Sequence, residues 1–377
     1  RPNPPAAAAA RAGFHANERE IAARSDLDPA RPRTKVVWSP PKQSRSVMRT
    51  TLSASTVTLL FLLLALVGLL AGCAAILDAR ATQREAHWEA QNPPVGRLLT
   101  LDDRQIHVLE AGQPRGAAPD LVLIHGANGN LRDFTFGLID ELAPDWRIIA
   151  LDRPGLGWSD SWGEADSDPR FQAMLLRRAV DEIGVDAPVV LGHSYGGAVA
   201  LAWALQDPDE TAALVLLGPA THPWPGSLGL WYRINETPLG RAGRALLTAL
   251  APTWLADRIV ASIFEPDAMP PGYADHFGTG LSLRRASQEA NNRQVNALIE
   301  HLEEMQHDYP ALALPIEVVH GSADEIVGLQ IHSARLDAAV PAVNLTVIDD
   351  GGHMPHHTHT SVVMQAIDRA ARRAGLR

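Results

Sequence analysis

Val189-Val190-Leu191-Gly192-His193-Ser194-Tyr195-Gly196-Gly197-Ala198-Val199-Ala200 decides the reading of this chain. Its centre is G-x-S-x-G. The apolar residues before it, from Val185 to Leu191, have strand character, and Ala198 to Leu205 after it reads as a helix. A serine on a sharp strand-to-helix turn holds its hydroxyl clear of the sheet. Gly192, Gly196 and Gly197 allow the turn to be tight. The helix that follows aims its first N–H groups at negative charge developing beside the serine.

Working outward, Arg97–Leu101 and Gln105–Leu109 flank Asp102-Asp103 in a hairpin pattern. Leu121–Ile124, Arg147–Leu151, Val189–Leu191, Ala213–Leu217, Ile316–Val319 and Val343–Ile348 are short runs of the kind expected of strands buried on both faces. Helical patterns lie near 168–184, 196–206, 330–340 and 360–374. This alternation predicts an α/β fold, a mainly parallel eight-stranded sheet with helices on both faces. The interval 221–314, between the sixth and seventh strands, has no good strand. It holds Trp224, Trp231, Tyr232, Trp254, Phe264, Tyr273 and Phe277 among helical stretches, and it is expected to form a helical cap over the strand ends.

From about Val95 to Leu376 the chain resembles the α/β-hydrolase superfamily in its cap-bearing form. The match rests on the Ser194 elbow, on His125-Gly126-Ala127-Asn128 after the third strand, on Asp152-Arg153-Pro154-Gly155-Leu156-Gly157-Trp158-Ser159 after the fourth, and on Gly351-Gly352-His353 after the last. The resemblance implies the chain order nucleophile, acid, histidine. Ser194 is then the nucleophile and His353 its base. Asp324, after the seventh strand, is the acid, with Glu325 as the alternative. The sixth strand ends in Gly218-Pro219-Ala220-Thr221-His222, without a carboxylate, which strengthens Asp324. The oxyanion hole comes from the backbone N–H of Tyr195 and of Ala127, with Asn128 as the alternative to Ala127. His125 and the D-x-P-G-x-G-x-S segment are read as structural. His356, His357 and His359 crowd the same loop as His353. They are expected to be solvated loop residues rather than metal ligands, and no cofactor is implied.

The resemblance implies a small-molecule acyl substrate, cleaved as a carboxylic ester through an acyl-enzyme. Carbon–carbon bond hydrolysis or a haloperoxidase-like perhydrolase reaction would use the same triad. A non-catalytic binding protein on the same fold is the remaining alternative; such proteins usually lose a triad residue, and this chain has all three. A net charge of −10 over 377 residues offers no basic surface for nucleic acid. The sequence does not set the oligomeric state.

The N-terminal quarter is different. Residues 1–47 are rich in Pro, Ala, Arg and Ser without apolar periodicity and read as a disordered extension. Within residues 48–77, Val57–Leu77 is apolar on every face and, at about 1.5 Å per residue, spans roughly 30 Å, a bilayer core. Lys42, Arg45 and Arg49 before it favour a cytoplasmic N-terminus and a domain on the outer side. Leu70-Ala71-Gly72-Cys73 resembles a lipoprotein cleavage site, so Cys73 is a candidate for lipidation. Residues 78–95 read as a linker to a hydrolase domain at 96–376.

Overall fold

The computed structural model describes residues 35, 38–39, 53–226 and 237–377. Most of the N-terminal extension, its basic residues, and Trp231 and Tyr232 lie outside the described residues. From Phe61 onward the chain forms one compact unit.

Eight strands make one sheet: β1 (Arg97–Leu101), β2 (Arg104–Gly112), β3 (Asp120–Ile124), β4 (Arg147–Leu151), β5 (Val189–His193), β6 (Ala213–Leu217), β7 (Ile316–Gly321) and β8 (Val343–Ile348). Their order is β1-β2-β4-β3-β5-β6-β7-β8. β1 and β2 pair antiparallel, and β2 pairs antiparallel with β4. Every pair from β4 to β8 is parallel. The apolar runs of β4, β5 and β6 are buried at every position, because helices cover both faces. On one face, the helices Pro169–Asp181 and Tyr195–Gln206 pack with Val190, Leu214 and Leu216. On the other, Thr360–Arg373 packs with Leu191, Val215 and Leu217. The parallel strands therefore end together on one edge, where their following loops converge.

Between β6 and β7 the described residues contain no strand. They form the helices Pro238–Leu250, Thr253–Ser262, Tyr273–Phe277, Thr279–Ser282 and Arg285–Met305. The last of these carries Arg293, which bonds Asp166 at 2.6 Å, and so packs against the β4-side loop.

The apolar segment is a helix, Ala54–Gln91, and it runs on through most of what the sequence suggests is a linker. The reason is tertiary. Arg80 Nε donates to the Ala249 carbonyl at 2.8 Å and Arg84 to the Ala251 carbonyl at 2.6 Å. Glu85 pairs with Arg285 at 2.7 Å, and Trp88 is buried. Spaced four apart on one helical face, Arg80 and Arg84 satisfy carbonyls left open at the end of the helix Pro238–Leu250. In the apolar part, none of the side chains is buried.

Candidate active site

β5 ends at His193 and the next helix begins at Tyr195, so Ser194 occupies the turn alone. Its φ of 54° and ψ of −118° are a backbone conformation rarely adopted by residues with side chains. The glycines around it are required by close approach. A Cβ on Gly192 would stand 2.3 Å from the Gly196 carbonyl oxygen, and one on Gly196 would stand 2.2 Å from that of Ile124. Strand and helix can cross at this distance only without side chains.

Asp324, after β7, and His353, after β8, meet at 2.6 Å between Oδ2 and Nδ1. A carboxylate only accepts, so Nδ1 carries the proton and Nε2 keeps its lone pair. Asp324 Oδ1 accepts from the backbone N–H groups of Ile326 and Val327, each at 2.9 Å. Burial alone would raise the Asp324 pKa. Hydrogen bonds from His320 and His353 outweigh burial and hold the carboxyl well below its ordinary range. The neighbouring Glu325 is exposed, and Asp324 is the residue that meets the imidazole. Ser194 and His353 line the same cavity. Among the described residues Ser194 Oγ makes no hydrogen bond to His353; in ligand-free hydrolases that contact is often long.

The two sequence alternatives for the second oxyanion donor separate here. The Asn128 N–H is taken by Asn291 Oδ1 at 2.6 Å. Among the described residues, the Ala127 and Tyr195 N–H groups have no loop or side-chain acceptor. Ala127 lies on the cavity wall beside Ser194. The loop that carries it is held by Arg153, whose NH2 donates to the Gly126 carbonyl at 3.0 Å while its guanidinium lies 4.1 Å over the Tyr195 ring. His125 Nε2 accepts the Arg153 N–H at 2.9 Å; burial and the Arg153 charge push its pKa down to about 4. Asp152 accepts from His107 at 2.6 Å, Leu131 N–H at 2.6 Å and Trp158 N–H at 2.7 Å. Both motifs thus act as scaffolding for the loops around Ser194.

One expectation is overturned. His356 and His357 are not solvated. His356 is buried, and both rings donate through Nε2 to Asp133, at 3.1 and 2.7 Å. Tyr273 Oη donates to the same carboxylate at 2.7 Å. Burial alone would raise the Asp133 pKa, but the two histidines hold it well below the ordinary carboxylate range. His193 stands beside this group. Its Nε2 donates to the His353 carbonyl at 3.0 Å, which ties the elbow to the loop of the base. Among the described residues its buried Nδ1 has no hydrogen-bond partner; Asp133 lies 4.0 Å away. Sequence reading missed Asp133 because its partners lie more than 130 residues away. Asp133, His193 and His356 also present ligand atoms within 4.8 Å of one another, the spread of a candidate cation site. The Asp133 oxygens, however, already accept three hydrogen bonds.

The cavity measures about 570 Å³. Its wall is largely apolar, from Leu247, Ile259, Val260, Ile263, Phe264, Phe277 and Met354, with a polar side at Gln288, Asn291 and Asn292. Of the aromatic residues of the interval 221–314, Phe264, Tyr273 and Phe277 line it, and Trp254 is exposed. No lysine or arginine lines it among the described residues.

Residues 119–360 match the family described as alpha/beta hydrolase fold. The chain belongs to that family. It is 28% identical over 275 residues to 2-hydroxymuconate semialdehyde hydrolase of Pseudomonas putida, a match covering 71% of this chain and 91% of the relative. Among solved structures it is similar to the enol-lactonase of Burkholderia xenovorans, with TM-score 0.60 and 17% identity, covering 73% of this chain and 100% of that one. It is also similar to a membrane phospholipase A, with TM-score 0.55 and 21% identity, covering 82% of this chain and 98% of that one. The protein is an enzyme of the α/β-hydrolase type, and its identity to the solved structures is low enough that they bear on the fold alone.

Proposed function

We propose that this hydrolase cleaves uncharged carboxylic esters through an acyl-enzyme on Ser194. His353 Nε2 takes the hydroxyl proton as Ser194 Oγ attacks the ester carbonyl. The Asp324 carboxylate keeps Nδ1 protonated and stabilises the imidazolium that forms. Charge appears on the carbonyl oxygen only in the transition state, where the Ala127 and Tyr195 N–H groups receive it. Collapse of the tetrahedral intermediate releases the alcohol, protonated by His353. Water then attacks the acyl-enzyme with His353 as base, and the acid leaves.

The observation that carries the ester reading is the charge of the cavity wall. A 2-hydroxymuconate-type substrate carries a carboxylate, which a cation in the wall would favour. This wall has no lysine or arginine among the described residues and does include the anionic Asp133. An apolar acyl chain fits it better. Gln288 Oε1 and Asn292 Oδ1 are buried acceptors without a hydrogen bond among the described residues, so a hydroxyl on the alcohol portion would satisfy them. Carbon–carbon bond hydrolysis on the same triad stays as the second reading, favoured by the Pseudomonas relative. The deciding experiment offers the purified enzyme p-nitrophenyl esters of increasing chain length beside a dienoate carbon–carbon substrate. Turnover of esters, with a fluorophosphonate label on wild type and none on Ser194→Ala, supports the proposal. Turnover of the dienoate alone overturns it.

We also propose that the apolar helix tethers the enzyme to a membrane with residues 96–376 on the outer side. The helix is apolar all round, and Lys42, Arg45 and Arg49 precede it. Cys73 is exposed on it, so lipidation there is an alternative tether. Protease added to spheroplasts should degrade the domain; protection would place it inside.

A further inference from the structure

The helix that follows the apolar segment fixes which face of the enzyme meets the lipid. Leu77 ends the apolar run, and Arg80 and Arg84 follow within two turns. These two arginines hold the carbonyls of Ala249 and Ala251. At about 1.5 Å per residue, the end of the helix Pro238–Leu250 is therefore pinned within about 10 Å of the bilayer edge along that axis. Cys73 lies only seven residues before Arg80, so lipidation at that cysteine would pin the same helix end close to the lipid.

The surface at this end is apolar. Leu246 and Leu250 share one stripe of their helix, four residues apart, and are 48% and 51% exposed. Trp254 and Ile259 on the next helix are 63% and 57% exposed. Ile326, in the loop after β7, is 53% exposed. Five of the nine large exposed apolar residues described beyond Gln91 thus come from two adjoining helices and one loop, where scattered single residues would be ordinary. Ile259 and Ile326 are also part of the cavity wall. Being both exposed and lining, they mark its mouth. Leu247, next to Leu246 on the helix with the pinned end, also lines the cavity, so that helix reaches the cavity wall as Ile259 and Ile326 do.

We infer that Leu246, Leu250, Trp254 and Ile259 dip into the bilayer to which the chain is tethered. A bilayer-resident acyl ester then passes between Ile259 and Ile326 to Ser194 without crossing water. The occupant of this surface is the lipid itself. A long acyl chain costs about 0.8 kcal/mol per methylene to expose to water, so entry from water would be slow for the substrates that suit an apolar cavity best. Tryptophan suits the polar boundary of a bilayer, where its ring is buried and its N–H stays hydrated. This inference rests on the ester reading above.

The test uses full-length enzyme reconstituted in phosphatidylcholine vesicles, as wild type and as Leu250→Gln/Trp254→Gln. Neither residue lines the cavity. Each enzyme is offered p-nitrophenyl butyrate in the aqueous phase and a long-chain diacylglycerol within the vesicle. The double variant should hydrolyse the soluble ester within twofold of wild type and the vesicle ester at least tenfold more slowly. Equal vesicle rates for the two proteins would overturn the inference, as would a parallel loss of both activities. A wild type that cleaves neither ester would refute the ester reading instead. Tryptophan quenching gives a readout independent of activity. Phosphatidylcholine brominated near the headgroup end of its chains should quench the wild-type emission, and Trp254→Phe should remove most of that quenching. Unquenched wild type, or equal quenching in Trp254→Phe, places this helix in water and overturns the inference.

Discussion

Two buried aspartates, Asp324 and Asp133, each gather histidines. Asp324 receives His353 at 2.6 Å, and Asp133 receives His356 and His357 at 3.1 and 2.7 Å. Both carboxyls are held well below their ordinary pKa range against the effect of burial. The difference lies at the far side of each imidazole. His353 lines the cavity with Ser194, and its Nε2 makes no hydrogen bond among the described residues, which leaves it for the Ser194 proton in the proposed mechanism. The bare Nδ1 of His356 is buried and has no hydrogen-bond partner among the described residues. An Asp–His pair is competent as a base only where its second nitrogen reaches the reacting atoms. Elsewhere it is a buried polar network whose value is structural. Asp133 also accepts a hydrogen bond from Tyr273 Oη, which fastens the helix Tyr273–Phe277 to the segment after β3.

The largest effects test the Asp324 side. Ser194→Ala and His353→Ala should each lower kcat by about 10⁴-fold or more while leaving the far-ultraviolet circular dichroism intact. Asp324→Asn should cost about 10⁴-fold, because an amide no longer fixes the tautomer that leaves Nε2 bare. Steady-state kinetics with a p-nitrophenyl ester reads all three. A folded Ser194→Ala enzyme with near-normal turnover ends the mechanism.

Asp133→Asn should invert the balance. It removes the charge that three donors share and sets an NH2 donor in place of one accepting oxygen, against either the His356 N–H or the Tyr273 and His357 donors, so urea unfolding should show a loss of about 3 kcal/mol. Turnover of the folded variant should fall no more than about tenfold, since Asp133 acts on no reacting atom. A kcat loss matching that of Asp324→Asn would erase the distinction between the two clusters.

Acid sharpens the comparison. His125, His193 and His356 are buried with pKa values below the ordinary imidazole value, with burial the first cause in each. They stay neutral in the fold at a pH where the unfolded chain already binds protons. Stability should therefore decline as pH falls from about 6.5 to about 4, and His125 alone accounts for about 3 kcal/mol. The depressed carboxyls act lower. Their contribution is present above the unfolded carboxyl pKa and is lost only as pH falls through the folded one. Thermal melts at pH 7, 5 and 4 should show the decline, and a flat profile down to pH 4 would mean these imidazoles are not sealed from protons. The smallest effect belongs to Glu325→Ala, which should change kcat/KM by less than about twofold, because the exposed Glu325 is not the carboxylate that meets His353.

Ser194, His353 and Asp324 stood out as candidates because the segments around them resemble the family's, and the fold brings His353 and Asp324 together. Gly192 and Gly196 announce a crossing too tight for a Cβ, and the apolar runs of β4 to β6 announce strands covered on both faces. The loop histidines were misread for the opposite reason. Nothing near His356 in sequence points to Asp133, because their meeting depends on where the loop after β3 comes to rest against the loop after β8. The linker reading of 78–95 failed similarly. Asp78 to Gln91 looks merely polar until Arg80, Arg84, Glu85 and Trp88 find partners on the helices between β6 and β7.

Hydrophobic period and the glycines of the elbow were enough to read the sheet and the Ser194 turn, while the order Ser194, Asp324, His353 comes from the resemblance to the family. Only the packed fold shows that, among the described residues, the Asn128 N–H has a side-chain acceptor and that of Ala127 has none, that the second imidazole nitrogen of His356 is buried while His353 lines the cavity, and that Arg80 and Arg84 hold the end of the helix Pro238–Leu250. Those outcomes depend on pairs far apart in the chain, whose hydrogen bonds exist only once the loops have been brought together and water has been excluded from between them.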